Sequence, residues 1–408
     1  MPADAFVFRQ GARVYQPKPA RSSAGTHNFC GLASPWRKQG FRRWAGLRAR
    51  AMEARPEPMP AMPPLPDSLA KTPELFPFGL DVGTDSLTFL QLGEADLARA
   101  SFLDQRIRTP GSPTHTIPFA EAQAAISESG LPESADFIFH IGHVGSTLLS
   151  RLLGRHAAIL SLREPAILRT LAQIRTMPAS VPSRWSAEAF EAHLATLLKL
   201  WSRTFRPEQR TLIKATSFAS EFAPEILARP YQPKAIFMTV MPEIYLATIL
   251  GADNSPQEAR ALASLRAARL SRRTGMNVDP APLSLGELVA MSWTSEMTSL
   301  CAALPASAAR IHWLDFDRFL ADPAAAIAAC FAHLGRAASS EDIAAILSGP
   351  DMRHYSKAPE YAYDAQLRAD VLNQAYGFAG AEIKRGMAWL EKVAASNAVI
   401  AEALSRCA

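Results

Sequence analysis

The richest stretch of chemistry in the chain runs Phe137-Ile-Phe-His-Ile-Gly-His-Val-Gly-Ser-Thr-Leu-Leu-Ser-Arg-Leu-Leu153. It opens as an apolar strand, breaks at Gly142 and Gly145, presents Ser146 and Thr147, and continues with Leu148, Leu149, Leu152 and Leu153 at helical spacing. A glycine turn between a strand and a helix aims several backbone N–H groups, and the positive end of the helix dipole, at one point. An anionic phosphate is the ligand that such a point stabilises, and the two hydroxyls add donors. The alternative is an ordinary strand-to-helix turn. A Walker A loop is excluded, because that motif needs a lysine directly after its last glycine to reach the β- and γ-phosphates of a triphosphate, and Ser146 stands there. Two further ionisable residues fall beside short apolar runs: Glu164 in Ser161-Leu-Arg-Glu-Pro165 and Lys214 in Leu212-Ile-Lys-Ala-Thr216. Both sit where runs end, at the carboxyl edge on which open α/β sheets build their sites. Their structural alternatives are a glutamate paired with Arg163 or capping the next helix, and a solvated lysine.

The elements that must hold these residues alternate strand and helix from Asp136 onward. That rhythm predicts an α/β domain, a parallel sheet with helices on both faces, over residues 135–408. The predicted strands are Phe137 to Ile141, Ile159 to Leu162, Thr211 to Lys214, Ala235 to Val240 and Ile311 to Leu314, each short and apolar as a doubly covered strand should be. Ser284 with Glu287 forms a capping box, and Asp322-Pro323 opens a helix that Gly335 closes. Ala381 to Leu404 is expected to be one long amphipathic helix, with Ile383, Met387, Leu390 and Val393 on one face, packing on the domain or mediating a homodimer. Before the domain, Leu75 to Leu80 and Leu87 to Leu92, cut by glycines, predict a small β-rich extension over residues 67–134.

The loop Gly142-His143-Val144-Gly145-Ser146-Thr147-Leu148-Leu149 resembles the nucleotide loop of sulfotransferases that use 3′-phosphoadenosine 5′-phosphosulfate as sulfuryl donor. A second stretch, Ile311-His-Trp-Leu-Asp-Phe-Asp-Arg-Phe-Leu-Ala-Asp-Pro323 followed by Phe331-Ala-His-Leu-Gly335, is similar to that family's late strand and helix end. The resemblance covers roughly residues 136–335, and more weakly 355–390. It implies a three-layer, P-loop NTPase-like α/β fold and a donor site made by Gly142, His143, Val144, Gly145, Ser146 and Thr147, with no metal required. It implies Glu164 as the base that takes the acceptor's proton, and Lys214 and His143 as sources of positive charge or hydrogen-bond donors. Thr216 stands where the cytosolic branch has its catalytic histidine, so that branch's mechanism does not carry over. His143 replaces the loop's usual Lys or Arg. In Val240-Met-Pro-Glu-Ile-Tyr-Leu-Ala-Thr248, Thr248 matches the 3′-phosphate serine, but Val240 occupies the place of the 3′-phosphate arginine. A replacement cation is expected among Arg353, Lys357 and the series Arg260, Arg266, Arg269, Arg272 and Arg273, although most of that series reads as a solvated helix face. His140, Trp293 and Trp313 read as core residues.

The acceptor implied is a hydroxyl on a small molecule or carbohydrate, with the insert Ala252 to Leu283 and residues 172–186 shaping its pocket. A phosphotransferase on the same fold and a non-catalytic nucleotide-binding protein are the rival readings. Composition narrows the partners. The net charge of +5 comes from residues 1–55, which hold eleven Lys and Arg against Asp4 and Glu53, so the rest of the chain is slightly acidic. That distribution argues against a nucleic-acid-binding domain and gives residues 1–66 the look of a disordered basic leader with a proline-rich linker. Four cysteines without a CxxC pair argue against a disulfide framework and for a cytoplasmic protein. The longest apolar run, Ala235 to Ala252, is interrupted by Pro242 and Glu243, so no transmembrane span is expected.

Overall fold

The computed structural model describes residues 68–109, 111–176 and 185–407; the leader and linker, and residues 177–184 of the expected acceptor region, lie outside them. All the described residues belong to the unit Met62–Ala408. Its first part is a three-stranded antiparallel sheet, β1 (Leu75–Asp81), β2 (Ser86–Gln91) and β3 (Thr114–Pro118), in that spatial order, as the two apolar runs predict. Asp81 shapes the hairpin by accepting the Gly83 N–H at 2.7 Å.

The main sheet holds β4 (Asp136–His140), β5 (Ile159–Arg163), β6 (Arg210–Lys214), β7 (Ala235–Thr239) and β8 (Ile311–Asp315). Each predicted strand is present to within one residue at either end. The order β5-β6-β4-β7-β8, all parallel, makes β4 the strand from which the chain winds first one way and then the other. The crevice beside β4, at its carboxyl end, is therefore the topological switch point. Every residue of β4, β5 and β7 is buried, as suits largely apolar strands covered on both faces, and their polar members Asp136, His140, Ser161, Arg163 and Thr239 are buried with the rest.

Two buried arginines tie the segments around the antiparallel sheet to the α/β part. Arg163, 2% exposed, sends its guanidinium to the carbonyls of Leu97, Ala98 and Ala100, closing the end of the helix Glu94–Arg99. Arg203 does the same for the carbonyls of Leu69, Thr72 and Leu75. The Leu103 N–H donates to the Arg163 carbonyl at 2.7 Å, so the outer edge of β5 is covered.

Five helices position the site: α1 (Ser146–Leu153), α2 (Pro242–Leu250), α3 (Ala263–Thr274), α4 (Leu285–Cys301) and α5 (Ala365–Ser396). The Ser284–Glu287 capping box opens α4, and Asp322 and Gly335 bound the helix Pro323–Leu334, both as expected. The C-terminal helix differs from expectation. It starts at Ala365, where Asp364 accepts the Leu367 N–H, and stops at Asn397, whose side chain caps a separate helix, Ala398–Ser405. Its apolar face packs on the domain: Ile383 and Leu390 are buried, the Glu382 carboxylate accepts the Gly286 N–H at 2.6 Å, and a Cβ on Gly386 would overlap the backbone of Gly286. Glycine at both positions lets α4 and α5 cross almost backbone to backbone.

The arginine series on and before α3 also departs from its predicted solvated face. Arg260 is exposed, but Arg269 is fully buried, Arg266 is 7% exposed and Arg273 is partly buried. The reason is Glu221 and Glu296, which arrive from other elements. Arg269 donates to Glu221 at 2.9 Å and to Glu296 at 3.0 and 3.1 Å, and Arg273 also pairs with Glu221. Together these arginines hold the carboxyl of Glu221 at about 2, against the opposing effect of burial. His140 and Trp293 are core residues as read, while Trp313 is only partly buried. Cys301, Cys330 and Cys407 are free thiols, all buried. No helix among the described residues is long and apolar enough to cross a membrane.

Candidate active site

His140, the last residue of β4, anchors the turn that follows. Its Nε2–H donates to the Ala215 carbonyl at 2.9 Å, and its Nδ1 accepts the Gly142 N–H at 3.0 Å. Beyond it Gly142, His143 and Gly145 all have positive φ, at 91°, 55° and 66°. Glycine suits two of these positions; His143, with a Cβ, costs roughly 1–2 kcal/mol there. At Gly145 a side chain is also sterically barred, because its Cβ would overlap the Phe316 ring. The consequence is a concave run of backbone N–H groups that leads into α1 with no side chain capping its first turn. The first N–H groups of a helix have no partner within it. Thr147 sharpens the point: it is 1% exposed and its hydroxyl has no hydrogen-bond partner. A buried unpaired hydroxyl is costly, and here it stands in the first, uncapped turn of α1.

Glu164 and Lys214 meet at the same edge because β5 and β6 are neighbours in register, with Arg163 opposite Lys214. The Lys214 ammonium, fully buried, pairs with the Glu164 carboxylate. Burial pulls the lysine's pKa below its ordinary value, and Glu164 partly restores it. Glu164 itself sits at φ 53°, a conformation that a residue with a Cβ adopts only when its surroundings impose it, and its N–H donates to the Lys214 carbonyl at 2.7 Å. Glu164 thus pairs with Lys214, not with Arg163, whose guanidinium is committed to the extension.

His143 through Thr147, Glu164, Lys214, Thr248 and Lys357 line one cleft of about 250 Å³. Gly142 forms the base of the turn behind it. Arg353 is not part of the cleft; its guanidinium donates to the Ser348 carbonyl at 2.9 Å. That leaves Lys357 as the cation which the segment Met352 to Lys357 contributes. Val240 is buried, and its carbonyl accepts the Trp293 indole N–H at 3.3 Å. Thr248 projects from α2 with its hydroxyl donating to the Ile244 carbonyl at 2.7 Å. In the free cleft the His143 imidazole is neutral: burial first, and then Lys357, Arg266 and Lys214, push its pKa down to about 3. In that state it can donate one hydrogen bond.

Sequence reasoning missed Arg368, Tyr355 and Tyr363, which close the opposite wall of the cleft. Arg368 pairs with Asp317 at 2.6 Å and lies over the Phe316 ring at 5.0 Å from its centre. The signal for it was Asp364, a helix-capping residue four positions before Arg368.

Neither a family model nor a curated protein sequence matches the chain. Solved structures to which it is similar include the sulfotransferase domain from the curacin biosynthetic pathway, at 14% identity over 60% of this chain and 97% of that one, with a TM-score of 0.35. A sulfotransferase from Alicyclobacillus acidocaldarius aligns at 15% identity over 63% and 95%, with a TM-score of 0.31. Retinol dehydratase, in complex with androsterone and inactive cofactor PAP, aligns at 12% identity over 68% and 88%, with a TM-score of 0.29. Overlaps of this size carry no weight for the chemistry, which rests on the cleft itself.

Proposed function

We propose that this cleft binds 3′-phosphoadenosine 5′-phosphosulfate and that the protein moves the sulfuryl group to a hydroxyl on a small-molecule or carbohydrate acceptor. The observation that carries the reading is the glycine turn at the switch point, with an uncapped helix start and a buried, unpartnered Thr147 hydroxyl, beside a buried lysine–glutamate pair on the adjoining strands. Those donors suit a phosphosulfate, so the residues present fit the group. When bound, the donor supplies a sulfuryl group activated by its anhydride link to phosphate.

The chain's own residues divide the remaining work. The N–H groups of residues 143–147, with the Ser146 and Thr147 hydroxyls, would hold the 5′-phosphosulfate. Neutral His143 would donate one further hydrogen bond. Glu164 would take the acceptor's proton, and Lys214 would orient that carboxylate and offset negative charge in a site where little water screens it. Lys357 is left for the 3′-phosphate, with Thr248 joining it once its hydroxyl turns from the Ile244 carbonyl to which it donates. The missing loop lysine counts against transfer from ATP.

Calorimetric titration with 3′-phosphoadenosine 5′-phosphate, adenosine 5′-phosphate and ATP with magnesium tests the reading. Binding of the bisphosphate, weakened when its 3′-phosphate is absent, is the expected result. Binding of ATP with magnesium alone would move the assignment to phosphotransfer, and no binding of any of the three would reject it.

A further inference from the structure

The helix that starts at the glycine turn also reaches the segment that brings Lys357 to the cleft. Arg151 and Arg155 lie one helical turn apart near the end of α1, so they share a face. The Arg155 Nε–H donates to the buried Asp351 carboxylate at 2.7 Å. The Arg151 Nε–H donates to the Ser356 carbonyl at 2.9 Å. Arg151 is itself 7% exposed, and its Nη2 donates to the Arg99 carbonyl at 3.1 Å and the Ser101 hydroxyl at 2.7 Å. It does not line the cleft.

The segment between Asp351 and α5 folds into a small hairpin loop. The Tyr355 N–H donates to the Tyr361 carbonyl at 2.8 Å and the Tyr363 N–H to the Arg353 carbonyl at 3.0 Å. The Ala358 N–H donates to the Tyr355 carbonyl at 2.9 Å, closing a tight turn that contains Lys357. These bonds shape the loop without using the Ser356 carbonyl. That oxygen accepts from Arg151, with the Ser101 hydroxyl a weaker second donor at 3.4 Å. It belongs to the peptide group that joins Ser356 to Lys357. A peptide group is planar, so holding its oxygen holds the plane from which the lysine side chain departs. A flexible lysine pays conformational entropy to meet a ligand, and a fixed root lowers that cost. Ser146 and Arg151 are five residues apart, about 7.5 Å along a helix axis. One rigid element therefore sets the spacing between the phosphate turn and the Lys357 loop.

We infer that Arg151 is a positioning residue: through the Ser356 carbonyl it aims Lys357 at the donor's 3′-phosphate, without touching the donor itself. This rests on the sulfuryl-transfer reading, which gives Lys357 that phosphate. Arg203 provides the contrast, because it too is a buried arginine bonded to backbone carbonyls, those of Leu69, Thr72 and Leu75, but it has no bond to the Lys357 loop.

Calorimetry on the full chain tests this with 3′-phosphoadenosine 5′-phosphate and adenosine 5′-phosphate, since the ratio of the two affinities isolates the 3′-phosphate. In wild type the ratio should be roughly tenfold or more, which one charge-assisted contact provides. Lys357→Met should remove most of it. Arg151→Met should lower it by roughly threefold or more, and adding Arg151→Met to Lys357→Met should lower it no further, because the arginine acts only through the lysine. Arg151→Lys retains a donor for the carbonyl and should keep part of the ratio; it carries the same cycle if thermal melting shows that Arg151→Met does not fold. Arg203→Met should lose stability and leave the ratio unchanged. A wild-type ratio in Arg151→Met overturns the proposal, as does an additional drop in the double variant, which would make Arg151 independent of Lys357. A ratio that falls equally in Arg203→Met also overturns it, since loosening of the extension then suffices. If wild type does not distinguish the two nucleotides, or Lys357→Met keeps the full ratio, the failure lies in the donor reading at Lys357, and the role of Arg151 falls with it.

Discussion

Replacing Gly145 with alanine puts both features of the turn to a quantitative test. Gly145 has φ 66°, and a Cβ there would lie under 3.0 Å from three ring carbons of Phe316. Gly130, at φ 68° with nothing within 4 Å of a Cβ, is the matched control, because the same substitution there meets only the backbone penalty. That penalty is about 1–2 kcal/mol. The Phe316 ring is 8% exposed, with the Arg368 guanidinium packed over it, so it cannot swing away freely, and overpacking adds about 1–3 kcal/mol. Gly145→Ala should therefore lose about 2–5 kcal/mol in urea denaturation, and Gly130→Ala about 1–2 kcal/mol. Adding Phe316→Leu should shrink the cost of Gly145→Ala, since the overlap is with the ring, and a double-mutant cycle measures that coupling. Titration with 3′-phosphoadenosine 5′-phosphate should show at least tenfold weaker binding to Gly145→Ala and unchanged binding to Gly130→Ala. If the two alanine variants are equally stable, the close packing of the turn on Phe316 is wrong.

Thr147→Val should behave in the opposite sense: removing an unpartnered buried hydroxyl leaves the free protein as stable or more so, while the affinity for the bisphosphate drops; a marked loss of stability in the melting curve would mean the hydroxyl already has a partner. Glu164→Gln should bind the bisphosphate within a few-fold of wild type but lower turnover by about 100-fold or more, and turnover close to wild type in a sulfuryl-transfer assay rejects Glu164 as the base. His143 gives a pH prediction. Its pKa is about 3 in the folded chain against 6.5 for the free side chain, so the unfolded chain binds the proton first and stability falls as pH drops below 6.5. Urea midpoints at pH 7 and pH 5 should differ less in His143→Gln than in wild type, and equal differences would show that the imidazole is not held neutral.

Much of this protein is legible in short consecutive stretches. The five strands of the main sheet, the three-residue logic of the Ser284–Glu287 cap, and the glycine turn ahead of Thr147 each depend on residues within a few positions of one another, so residue order alone determines them. That is why the glycine turn and its carboxyl-edge neighbours Glu164 and Lys214 are legible in residue order alone. Residue order likewise fixes valine at 240 and histidine at 143, where the resemblance implies an arginine and a lysine or arginine.

What the tertiary structure decided depends on groups that meet only when distant elements pack. The Glu164–Lys214 pair exists because β5 and β6 are adjacent, and that order is set by how the crossovers wind. Lys357 faces the cleft and Arg353 turns to Ser348, a choice made by a short irregular segment whose periodicity says nothing about direction. Above all, the arginines of α3 have the spacing of a solvated face and are nevertheless buried, because Glu221 and Glu296 come from elsewhere in the chain to meet them. Local pattern records which residues share a side of a helix. Whether that side meets water or carboxylates is a property of the partner, and in this protein it is what buries Arg266 and Arg269 against Glu296.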